Sequence, residues 1–96
     1  MPRTYKRRPA RLSGKLATLL RRERELRDLS MRELAEKLGT QQTTVCALER
    51  GDSWTLGNLE SVSTWLRRDP WDVLKAADEG RIVSVLLQQE PLFRES

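Results

Sequence analysis

Along the chain, apolar residues recur three and four positions apart in a series of short runs. Leu16, Ala17 and Leu20 share one helical face, with Leu19 and Leu26 beside it. That run predicts a first helix over about 14–27, opening after Leu12-Ser13. Leu29-Ser30-Met31-Arg32-Glu33-Leu34 is a dense start signal for a second. Ser30 can accept from the amide of Glu33 while Glu33 reaches back to the amide of Ser30, and Leu29 and Leu34 can staple across the cap. Met31, Leu34, Ala35 and Leu38 form its buried stripe, and Gly39 ends it where a left-handed residue costs least. A third helix starts at Gln41 or Gln42 and stops at Gly51, with only Val45 and Leu48 as its stripe. So short a helix cannot stand alone. The first two helices must hold it and leave its other face outward.

Trp54-Thr55 opens a fourth helix, with Thr55 as cap and Trp54 stapled to Leu59. Leu56, Leu59, Val62, Ser63 and Leu66 follow at helical spacing. Asp69-Pro70-Trp71-Asp72 begins a fifth, over about 70–77, with an Asp cap and Pro at the first helical position. After Gly80, "RIVSVLLQQEPLF" places Ile82, Val85 and Leu86 at helical spacing, although its β-branched content suits a strand. A sixth helix is the favoured reading. The expected fold class is therefore all-α, with five helices and a C-terminal extension.

Composition narrows the picture. The 96 residues suffice for one small domain. No apolar run approaches the roughly 18 residues of a membrane span, and the basic N-terminus lacks the apolar stretch of a secretory signal. A cytoplasmic location without membrane contact is expected. One Cys and no His exclude an internal disulfide, the usual zinc ligand sets and Ser-His or Cys-His catalysis. No metal, cofactor or enzymatic activity is implied. The net charge of +4 is concentrated at the front, where Arg3, Lys6, Arg7, Arg8, Arg11 and Lys15 stand without an acid. Either this is a solvated tail or it is an arm for a polyanion. The chain divides into a flexible basic arm (1–12), a helical domain (13–77) and an extension (78–96) with apolar residues suited to dimerisation or to a protein partner.

Two short helices joined at a Gly, the second with an exposed polar front, describe a helix-turn-helix. The major groove of B-DNA, about 12 Å wide, admits one helix, and residues at its front reach base edges. Gln41, Gln42, Thr43 and Thr44 occupy that front, with Cys46 on the same outward face. A Gln amide pairs with adenine N6 and N7, and a Thr can touch a thymine methyl. Arg50 is placed to meet a phosphate. Bulky apolar groups or acids on this face would instead mark a protein-interaction domain, and they are absent.

"LSMRELAEKLGTQQTTVCALERG" and "TLGNLESVSTWLRRDPWDVL" carry a family resemblance. Residues 16–74 resemble the five-helix DNA-binding domain of the lambdoid phage repressors and Cro-like, XRE-type regulators. The resemblance implies that Gln42 reads a base and that Thr43 and Ala47 face bases. It implies that Gln41 and Thr44 lie near phosphates, with Met31 and neighbouring Arg32 approaching the backbone from the second helix. It also implies a buried salt bridge between Arg24 and Glu49. The sequence departs from the family at Ala47, commonly a longer polar residue, at Asp52 and Trp54, where bases are frequent, and at Arg67-Arg68, usually Gly-Val. The implied function is a transcriptional repressor binding duplex operator DNA as a homodimer. The alternative is a DNA-binding antitoxin that holds a toxin through 78–96. Cys46 is expected to be a small residue facing the groove edge or a helix neighbour, Trp65 and Trp71 to cover the core or an interface, and Arg21-Arg22 and Arg67-Arg68 to be solvated.

Overall fold

Five helices follow one another in the computed structural model, which describes residues 11–83. They are α1 (Leu12–Leu26), α2 (Met31–Leu38), α3 (Gln42–Glu49), α4 (Leu56–Leu66) and α5 (Pro70–Asp78). No strand occurs among the described residues, in line with the all-α expectation. The basic arm Arg3, Lys6, Arg7 and Arg8, and most of the expected sixth helix, lie outside them. Ile82 and Val83 are described and are not helical.

Local chemistry explains most of the boundaries. Ser30 Oγ accepts from the amide of Glu33 at 3.0 Å, and Glu33 Oε1 accepts from the amide of Ser30 at 2.8 Å. These bonds satisfy amides that the first turn of α2 would otherwise leave free. Gly39 closes α2 at φ 71°, and the Thr40 amide returns to Ala35 O at 2.9 Å. Thr55 Oγ1 caps α4 by accepting from the Asn58 amide at 3.1 Å. Asp69 stands at the cap of α5 but makes no side-chain capping bond there. Pro70 supplies the fixed φ and lacks an N–H, so one free amide is already gone. α1 begins at Leu12, two residues before the predicted start, with Arg11 extended ahead of it.

The core gathers Leu16, Leu19 and Leu20 of α1 with Leu34, Val45, Leu48, Val62, Leu66 and Val73. Met31, Leu38, Trp54, Trp65 and Leu74 pack around its edge. Leu26 and Leu56 fit the apolar spacing of their helices yet are exposed. They stand at the last turn of α1 and the first position of α4, where no neighbour among the described residues covers them. Trp71, expected in the core or an interface, is 78% exposed.

The packed body runs past residue 77. Lys15 Nζ meets Asp78 Oδ1 at 2.9 Å, and Arg22 Nη1 donates to Gly80 O at 3.3 Å. From there the chain follows α1, and the Val83 amide donates to Glu23 Oε2. Val83 is part of the hydrophobic core. Residues 78–83 therefore belong to the domain, not to a spare extension. Glu23 is fully buried, and its other oxygen takes Arg27 Nη1 at 2.6 Å. The Arg27 guanidinium lies 4.6 Å from the centroid of Trp65, within cation–π range.

The α2 cap yields a test. Ser30→Ala should lower stability by about 1 kcal/mol, read by urea denaturation. The bond from the Ser30 amide holds the Glu33 carboxyl below its ordinary range. A carboxyl lowered on folding stabilises above its unfolded value and loses that contribution as pH falls through the folded one. The stability gap between the parent and Glu33→Gln should be full near neutral pH and close under acid. A gap that persists at low pH would contradict this assignment.

Candidate nucleic-acid interface

α3 buries two apolar side chains, Val45 and Leu48, so its position depends on polar ties at its end. Arg24 Nε donates to Glu49 Oε2 at 2.6 Å and Arg24 Nη2 to Glu49 Oε1 at 3.2 Å. Arg24 Nη1 donates to Leu29 O at 2.9 Å. One guanidinium thus joins the end of α1, the entry to α2 and the end of α3. The side chains of Arg24 and Glu49 are 14% and 4% exposed. The hydrogen bond to Glu49 raises the Arg24 guanidinium above its ordinary range. Trp54 Nε1 adds a bond to Leu48 O at 2.9 Å, occupying a carbonyl in the last turn of α3.

The opposite face of α3 is open. Gln41 is its N-cap residue, in extended backbone and without a side-chain capping bond. Gln41, Gln42 and Thr43 are exposed, and Thr44, Cys46 and Ala47 are half-buried. Thr43 Oγ1 donates to Gln41 Oε1 at 3.5 Å, a long and weak contact. Arg50 caps the C-terminal end and is exposed. Its Nη1 lies 3.3 Å from Cys46 Sγ, so the cysteine rests against a guanidinium. The front is therefore neutral and rich in donors and acceptors, with a cation about two turns behind it.

Gln41, Gln42, Thr43, Thr44, Cys46, Ala47 and Arg50 share this one short element. Arg32 is exposed on the first turn of α2. Met31 is half-buried at the first position of α2. It packs against the core, and a thioether has no proton to offer an anion. Near Gly51 the ends of α1 and α3 come close. A Cβ on Gly51 would lie 3.6 Å from the Cα of Gly14, and φ there is 91°. The first turn of α1, where residues 1–10 join the domain, therefore abuts the end of α3.

Helix spacing revealed neither the burial of Glu23 nor the use of Trp54 Nε1. The i,i+4 pairing of Glu23 with Arg27 was visible in the sequence, but it marks solvated pairs as often as buried ones. No group of acidic, Cys or His residues among the described residues could hold a metal ion.

The helix-turn-helix family model matches residues 20–63, from mid-α1 through most of α4. The chain carries a helix-turn-helix domain of the XRE/Cro-like family. It is a DNA-binding transcription regulator of the XRE type. α2 and α3 are its helix-turn-helix pair. No curated protein and no solved structure is significantly similar to the chain. No helix among the described residues is long and apolar enough to cross a membrane.

The ties of this XRE-type domain can be tested by stability. Arg24→Met leaves Glu49 as a buried, uncompensated carboxylate and should cost about 3–5 kcal/mol in urea denaturation. Arg24→Met with Glu49→Leu should recover a large part of that loss, because no charge is then stranded. Equal losses in the single and double variants would show that packing, not charge pairing, holds α3.

Proposed function

We propose that this regulator is a repressor that binds an inverted-repeat operator as a homodimer, with α3 in the major groove and Gln42 reading a base. The observation that carries this reading is the outward front of α3. Gln42 is exposed at the first helical position, and its side chain carries both a donor and an acceptor. Adenine presents the complementary pair, N6–H and N7, in the major groove. Arg50 and Arg32 would take phosphates, which orient the helix without reading sequence. Residues 1–10 hold Arg3, Lys6, Arg7 and Arg8 and join α1 where it abuts the end of α3. That attachment suits an arm lying along the DNA backbone. The protein acts by binding alone, in the cytoplasm, with no cofactor or catalytic step of its own.

The dimer reading rests on exposed Trp71 and on Val85, Leu86, Leu87, Leu92 and Phe93 beyond the anchored Val83. Two protomers would present their recognition helices about 34 Å apart, one turn of DNA. Sedimentation tests this on the full chain and on a chain ending at Ser84, which keeps Val83 in its core position. A dimer that becomes a monomer on shortening is expected. A full chain that stays monomeric well above its DNA affinity would refute the homodimer.

A panel of operators with each base pair changed in turn tests the base reading. Gln42→Ala should cost about 1–3 kcal/mol on the preferred site, with the loss concentrated at one base pair per half-site. Arg50→Ala should weaken all duplexes by a similar factor. A uniform loss on Gln42→Ala would mean that Gln42 orients the helix, and Thr43 would become the base reader.

A further inference from the structure

α3 and its cap residue present a single guanidinium to the outside, that of Arg50, and it is already engaged. Arg50 Nε lies 3.6 Å from Asp52 Oδ2, with the two side chains 62% and 65% exposed. Asp52 is not on a free loop. Its amide donates to Ala47 O at 2.9 Å. Gly51 and Ser53 on either side adopt positive φ, 91° and 63°. Asn58 Nδ2 holds Ser53 O at 2.7 Å, and the Thr55 amide holds it at 2.9 Å. This backbone keeps the Asp52 carboxylate beside the Arg50 guanidinium.

We propose that Asp52 tunes the strength of DNA binding, by competing with a DNA phosphate for the Arg50 guanidinium and so weakening that contact without abolishing it. The proposal rests on the reading that this face of α3 meets DNA. A phosphate and the Asp52 carboxylate are both anions and compete for the same guanidinium charge. Each contact with the backbone must displace or share Asp52, so the cost falls on every duplex alike. The regulator is thereby kept from clinging to arbitrary DNA through its recognition helix, and base contacts at its front count for more of the binding.

The test uses the full chain with two probes, a duplex recovered by selection from a random pool and a mixed-sequence duplex of equal length. Asp52→Asn removes the charge and keeps the backbone bond to Ala47. It should bind both probes about two- to fivefold more tightly at low salt. The plot of log affinity against log salt should steepen by up to about 0.9 for each Arg50 released to a phosphate. In an Arg50→Ala background the same change should have little effect. Unchanged or weaker binding by Asp52→Asn would overturn the proposal, because Asp52 would then be neutral or would orient Arg50 toward DNA. An equal gain without Arg50 would also overturn it. A parent chain that binds neither probe sinks the DNA-facing reading itself. A parent that binds while Asp52→Asn behaves identically sinks only the role of Asp52.

Discussion

The Arg24–Glu49 pair is the constraint on which the DNA-facing half of the domain depends. α3 has eight residues and buries two of them well, so it has neither the length nor the apolar area to fix its own orientation. The guanidinium supplies what is missing. It meets both carboxylate oxygens of Glu49 and the carbonyl of Leu29, which sets direction as well as proximity. Removing a carboxylate from water is costly, and a fork-shaped donor with several bonds is the geometry that offsets the cost. The outward face of α3 is open because the inward face is held this firmly.

α1 serves two neighbours through adjacent residues. Successive side chains on a helix project about 100° apart, so Glu23 and Arg24 point to different partners. Arg24 holds α3. Glu23, fully buried, holds Arg27 and the amide of Val83. The chain after α5 is thereby laid along α1 and closes the core with Val83. Substitutions at neighbouring positions of α1 therefore act on opposite sides of the domain.

The local features were legible in the amino-acid sequence. Ser30 with Glu33, Gly39, Thr55 and the Pro70 start each act within four residues, and chain connectivity alone brings such partners together. The outward face of α3 was legible by elimination, since Val45 and Leu48 leave the residues around them no place in the core. The resemblance at Arg24 and Glu49 singled out two residues that the structure brings into contact. By contrast, Leu26 and Leu56 have the spacing of buried residues and are exposed. Periodicity specifies a face of a helix and says nothing of how far along that face a neighbour extends.

The sequence by itself determined the five helices, most of their caps, and the neutral, hydrogen-bonding front of α3. Period and local hydrogen bonding suffice for these. Tertiary structure alone decided that Glu23 is buried, that Val83 belongs to the core, and that the Arg50 guanidinium lies beside Asp52. The first two depend on contacts between elements distant along the chain, which a helical pattern does not encode. The last involves close neighbours, yet it depends on the left-handed backbone at Gly51 and Ser53, held in place by Asn58 and by the end of α3.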